Sequence, residues 1–218
     1  MRLYGHWRSL ATYRLRVALK LKNIDAEIVA IDLLNKEHLG PHYRAINPQG
    51  ALPALEDGDG PILFQSAAII EYLDETHPLP PLLPADPRGR ARVRALSQIV
   101  SADTHPLVVP RVRDYLEYDL GLSKEGLLAW IKRFGLPAFE TLESFLTSGS
   151  PTGRFCHGDS PTLADIMLAS HVIGMELFGF GIDSYPRVKA VYEACSALDA
   201  FASAHPLLQP NAPSCATL

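Results

Sequence analysis

Cysteine is scarce and scattered. Cys156, Cys195 and Cys215 are the only three in 218 residues, and they form neither a CxxC pair nor a set of four ligands. A reducing compartment without disulfides is therefore the expectation. No apolar run approaches the roughly 20 residues that cross a bilayer. The opening Met1-Arg2-Leu3-Tyr4-Gly5-His6-Trp7-Arg8 lacks the long apolar stretch of a signal peptide. A cytoplasmic protein with no membrane partner is expected. Dense Lys/Arg blocks are also missing, and a net charge of −4 gives no reason to expect a nucleic-acid partner. No HExxH occurs, and the His38-x-x-x-His42 spacing is interrupted by Gly40-Pro41, so no metal is expected. What remains is an ordinary globular composition, 47% hydrophobic and 20% charged, long enough for one large domain or two small ones.

The first eighty residues alternate short strand-like and helix-like segments. Leu3-Tyr4-Gly5 can open a sheet, and Leu15, Ala18, Leu19 and Leu21 give residues 12–22 a helical period. Residues 26–31 alternate as a strand rich in β-branched side chains. A polar, turn-forming region follows through Asn47-Pro48-Gln49-Gly50. Residues 54–56 and 61–64 flank Asp57-Gly58-Asp59-Gly60 as a hairpin, and Ser66 caps a helix running to His77. The order is βαβ, a connection, then ββα. Between His77 and Pro87 stand five prolines in eleven residues, which neither continue a helix nor fill a central strand. Beyond them the pattern is helical: residues 88–118, 123–148, 162–180 and 185–203, with a loosely ordered tail from His205. The alternating Arg88, Arg90, Arg92 and Arg94 read as a solvated face or as a contact across a dimer. Cys156 reads as a small buried residue.

Three segments can carry chemistry. Leu52-Pro53 directly precedes a strand. If the bond is cis, the N–H and C=O of Leu52 are turned outward to pair with a peptide-like ligand; otherwise it is an ordinary loop-to-strand proline. Gln65-Ser66 stands where a strand ends and a helix begins. Free N–H groups and the positive end of the helix dipole collect there and suit a carboxylate, whether or not Ser66 also caps its own helix. Ser9 stands between the first strand and the first helix, where a hydroxyl can stabilise a bound thiolate or serve as an N-cap, with Thr12 competing for the cap.

Taken together, in this order and spacing, these segments resemble the glutathione transferase family, and its zeta class in particular. Arg8 to Arg16 is similar to the Arg-Ser-Ser-Cys-Ser-x-Arg-Val-Arg-type run of that class. Asn47, Pro48 and Pro53 ahead of Gln65-Ser66 match a second motif, and Gly158-Asp159-Ser160-Pro161-Thr162-Leu163-Ala164-Asp165 resembles the family's capping-box segment, covering roughly residues 1–203 in all. The resemblance implies a thioredoxin-like, glutathione-binding α/β domain over residues 1–79, a Pro-rich linker over 80–87, and an all-helical bundle over 88–218. It also implies site residues. Ser9, aided by Thr12, serves the glutathione thiolate. Leu52, Pro53, Gln65 and Ser66, with His38 and Gln49, hold the peptide, and Asp103 reaches it from the other subunit of a homodimer. Arg8 and Arg111 face a small electrophilic substrate. Two departures stand out. Leu10 and Ala11 replace polar residues beside Ser9, and Val108-Val109-Pro110 and Met175-Glu176-Leu177-Phe178 stand where basic residues are expected. Three readings follow: a transferase adding the thiol to an electrophile, a maleylacetoacetate- or maleylpyruvate-type cis–trans isomerase, or a non-catalytic docking protein of the same fold.

Overall fold

Four strands and the helices that cover them form the first of two units. The computed structural model describes residues 1–148 and 151–213, and among these the first unit comprises residues 1–82 and the segment from Ser196 onward, the second Leu83–Cys195. In the first, β1 (Arg2–Gly5), α1 (Leu10–Leu21) and β2 (Glu27–Ala30) are followed by a 3-10 turn at Glu37–Leu39 and by α2 (Pro41–Ile46). Then come β3 (Ala54–Glu56), β4 (Leu63–Phe64) and α3 (Ser66–Thr76). The sheet order is β2-β1-β3-β4, with β1 parallel to β2 and antiparallel to β3, and β4 antiparallel to β3. Leu3 pairs with Ile28 on one side and with Leu55 on the other. This is the expected thioredoxin-like arrangement.

The apolar spacing of α1 buries Leu15, Ala18 and Leu19, and the helix packs against α3, whose Ile69, Ile70 and Leu73 are equally enclosed. A second cluster joins Tyr4, Ile31, Tyr43 and Ala54, with the Tyr4 and Tyr43 rings edge-on at 6.3 Å. The helix α2 was read from sequence as a turn. Pro41 occupies its first turn, where the missing N–H costs nothing, so a residue that halts one helix begins another. His38 and His42 consequently lie on different elements, the 3-10 turn and α2. Between α1 and β1 the approach is close: a Cβ at Gly5 would stand 2.3 Å from Thr12 Cγ2.

The second unit is helical: α4 (Pro87–Gln98), α5 (His105–Val108), α6 (Pro110–Asp114), α7 (Lys124–Thr147), α8 (Leu163–Glu176) and α9 (Pro186–Ser196), the last crossing the boundary by one residue. The single helix expected over 88–118 is broken. Pro106 and Pro110 supply no N–H, and the chain passes through π-type turns at Ile99–Thr104 and Tyr115–Asp119. Helix α8 is buried from Leu163 to Met175, its polar Asp165, Ser170 and His171 enclosed along with the apolar side chains. Its first turn is closed by Asp165: Oδ2 accepts from the Thr162 N–H and hydroxyl, and Oδ1 from the Cys156 N–H, each at 2.7 Å. Arg92 is not on a solvated face. It donates to Cys156 O at 2.6 Å and to Thr152 Oγ1 at 2.8 Å, binding the loop before α8 to α4.

The C-terminal segment, expected to be part of the helical bundle, groups with the first unit. There α10 (Asp199–Ala202) packs on α1, and Arg16 Nε donates to Ala204 O at 3.1 Å. The tail from His205 is pinned rather than loose as far as it is described: Gln209 Nε2 donates to Ser203 O and His205 O, both at 2.9 Å. Cys215 lies outside the described residues. None of the described helices is long and apolar enough to cross a membrane.

Candidate functional site

Ser9 is the N-cap of α1. Its backbone is extended, and its Oγ accepts the Thr12 N–H at 3.1 Å. The cap uses the oxygen and leaves the hydroxyl proton to donate, from a half-buried position at the positive end of a twelve-residue helix. Thr12 does not stand beside it as a second hydroxyl for a ligand. It is fully buried, and its Oγ1 faces the His6 N–H at 3.5 Å, so its place is in the joint between β1 and α1. The loop that carries Ser9 is anchored from below by Arg16, whose guanidinium donates to His6 O at 3.4 Å and Trp7 O at 3.2 Å. Burial lowers the pKa of Arg16 to about 10.

A second wall is the loop from Asn47 to Pro53. Tyr43 Oη and Asn47 Nδ2 both donate to Ala51 O at 2.8 Å, and Asn47 Oδ1 accepts the Gln49 N–H at 3.2 Å. So braced, the loop delivers Leu52-Pro53 into β3 with a cis peptide bond. Among the described residues no hydrogen bond is made by the Leu52 N–H or C=O, so a backbone edge is available. Gly50, at φ +61°, lets this loop approach the 3-10 turn: a Cβ there would stand 3.2 Å from His38 O.

The third wall is the head of α3. Gln65, not Ser66, is its N-cap, at φ 70° and ψ 112°. A non-glycine residue held at positive φ stores strain, and such residues collect at ligand sites. The Gln65 amide donates to Gln49 Oε1 at 3.1 Å, so the structure brings together two of the predicted residues from different loops. Ser66 is the first helical residue, only 7% exposed, and its Oγ receives Arg14 Nη1 at 3.4 Å. Arg14 was not singled out from the sequence: it stands among apolar neighbours in a helical run, and periodicity alone does not say which way its side chain points.

Ser9, His38, Gln49, Leu52, Pro53, Gln65 and Ser66 thus lie in one unit, on the loops and helix heads at the ends of its strands. The set offers a backbone edge at Leu52, the N–H groups at the head of α3 and a hydroxyl at the head of α1, the kinds of group that pair with a peptide. Arg8 is exposed on the same unit, with its N–H donating to His6 Nδ1 at 3.3 Å. Asp103 and Arg111 are exposed on the helical unit, Asp103 in the first π-type turn and Arg111 on α6. Among the described residues no group of His, Cys, Asp and Glu is placed to hold a metal ion.

Comparison with known proteins identifies the family. The profile for Glutathione S-transferase, N-terminal domain, matches residues 1–75, and that for Glutathione S-transferase, C-terminal domain, matches residues 135–194. The chain is 43% identical over 211 residues to maleylpyruvate isomerase from a Ralstonia species, covering 97% of this chain and 99% of that one. The crystal structure of maleylacetoacetate isomerase from Methylobacterium extorquens AM1 with bound malonate and GSH superposes with a TM-score of 0.95 at 50% identity, covering 98% of this chain and 100% of that one. The holo structure of maleyl pyruvate isomerase, a bacterial zeta-class glutathione S-transferase, gives 0.95 at 42% identity, covering 98% and 100% respectively. The chain belongs to the glutathione S-transferase family, in its zeta-like class.

Proposed function

We propose that this enzyme uses bound glutathione to act on a small electrophilic double bond, and that its reaction is the cis–trans isomerisation of a maleyl-type acid. The observation that carries the reading is Ser9: its oxygen is committed to the Thr12 N–H, which leaves its proton to be donated at the head of α1. Glutathione, when bound, supplies a thiolate that adds reversibly to an activated alkene and so frees rotation about that bond. Ser9 stabilises the negative sulfur. The Leu52 backbone holds the cysteinyl unit, Gln65 and Ser66 the γ-glutamyl head, and His38 and Gln49 the glycyl end. Arg8 and Arg111 suit the substrate's carboxylates, since a guanidinium pairs with a carboxylate bidentately. The isomerase names and near-complete overlap of the relatives support this reaction over conjugation or dehalogenation. A cytoplasmic homodimer, in which Asp103 of the partner subunit reaches the glutathione, completes the reading.

The test is calorimetric titration with glutathione, ultraviolet absorbance of the bound thiolate, and turnover of maleylpyruvate and maleylacetoacetate. Binding with thiolate formation near neutral pH and a trans product is expected. Binding without thiolate or turnover would favour the docking reading. A sedimentation mass near 24 kDa, that of one 23.9 kDa chain, would refute the dimer.

A further inference from the structure

The two arginines of α1 are both buried in the first unit, yet they do different work. Arg16 turns toward carbonyl oxygens of the Ser9 loop and of the C-terminal segment. Arg14 is more deeply placed, 2% exposed, and reaches across to the first residue of α3, where Nη1 meets Ser66 Oγ at 3.4 Å. A guanidinium only donates, so at this contact Ser66 can only accept. The hydroxyl proton is thereby left for the opposite side, where it and the N–H groups of the first turn of α3 can donate to one shared acceptor. Burial lowers the pKa of Arg14, but only to about 10, so the group remains a cation at neutral pH. An anion seated on Ser66 and the α3 N–H groups would be separated from this buried charge by a single hydroxyl.

We propose that Arg14 is a positioning residue for the α-carboxylate of the γ-glutamyl head: from beneath α3 it orients the Ser66 hydroxyl outward and supplies the charge that the carboxylate meets. The inference rests on the glutathione reading and adds to it a residue that makes no contact with the ligand itself. It separates two contributions at this end of the site. The helix dipole and N–H groups come from α3, whereas the full charge comes from α1.

The experiment measures affinity by calorimetry for two ligands, S-methylglutathione and its analogue with the γ-glutamyl α-carboxylate converted to a carboxamide. Arg14→Gln is expected to weaken the carboxylate ligand by about ten- to a hundredfold and to leave the carboxamide within about threefold. An equal loss for both ligands, as general damage to the fold would give, overturns the proposal, and so does no loss for either. If Arg14→Gln does not fold, Arg14→Lys replaces a permanent charge by one that burial makes titratable. Its affinity for the carboxylate ligand should then fall relative to wild type as pH rises above neutral, with the carboxamide unaffected. The same pH profile as wild type overturns the proposal. Failure of the wild-type protein to bind S-methylglutathione at all is a different result, because it removes the glutathione reading before Arg14 is tested.

Discussion

Lys22 Nζ stands 2.5 Å from Asp74 Oδ1, with the lysine side chain wholly enclosed. The ammonium also donates to His77 O at 2.8 Å and Pro80 O at 2.6 Å, and the same Asp74 oxygen accepts the Leu82 N–H at 2.7 Å. One cation therefore closes the end of α1, the end of α3 and the start of the Pro-rich segment. Lys22→Met keeps the volume but leaves a carboxylate and two carbonyls facing an apolar group. We expect a loss of about 3–5 kcal/mol in urea unfolding, and in Lys22→Met/Asp74→Asn a loss smaller than the sum of the single changes.

Ser9 is the N-cap of α1 and, in the proposed function, also the donor to the thiolate, and substitution can separate the two. Ser9→Ala removes both the cap, worth about 1 kcal/mol, and the donor to the thiolate, worth about 10²-fold in turnover. Ser9→Gly restores most of the cap, since glycine costs only a few tenths of a kcal/mol there, but not the donor. Stability should therefore recover in Ser9→Gly while turnover and thiolate absorbance do not. Glutathione affinity should stay near wild type in both, and unchanged turnover would remove Ser9 from the chemistry.

Gly5 is held to glycine by its neighbour rather than by its backbone angles. A Cβ would lie 2.3 Å from Thr12 Cγ2, a short β-branched group that has little room to give way. Gly5→Ala is expected to cost about 1–3 kcal/mol as overpacking. Thr12→Ser removes the offending methyl and keeps the hydroxyl that faces the His6 N–H, so the double variant should regain most of the loss. Thermal unfolding of the three variants decides this.

The pKa of His6 is lowered from 6.5, by burial first and then by Arg8, Arg16 and His38, with Asp32 opposing. His205 is lowered by burial and by Arg16. Below 6.5 the unfolded chain therefore binds more protons than the folded one, and stability falls as pH drops through the window beneath that value. His6→Asn keeps an acceptor for the Arg8 N–H and removes one titration. Urea midpoints measured from about pH 7 to about pH 5 should decline less steeply in this variant.

Much of this was legible in the sequence. Alternation and helical period found the strands and α1, and the capping residues Ser9 and Asp165 stand where local chemistry put them. What escaped was decided by distant partners or by a second meaning of a familiar residue. Pro41 was read as a stop because proline halts helices, whereas here it opens one. Ser66 was read as the cap because serine favours that position, but Gln65 takes it at an angle that no propensity favours. Arg92 was read as solvated because its neighbours are arginines, and only the fold shows that carbonyls and a hydroxyl from the 145–156 region meet it. Thr12 looked like a spare hydroxyl until the closeness of β1 gave it a place.

The bond from Arg16 to Ala204 spans 188 positions of the chain. The arginine that anchors the Ser9 loop is thus completed by a residue made 188 positions after it. On the ribosome, where the N-terminal part emerges first, the glutathione end of the enzyme would wait, unfinished, for the whole helical unit to pass through the exit tunnel. An N-terminal fragment released early would carry Ser9, Leu52, Gln65 and Ser66 and still lack the bond between Arg16 and Ala204.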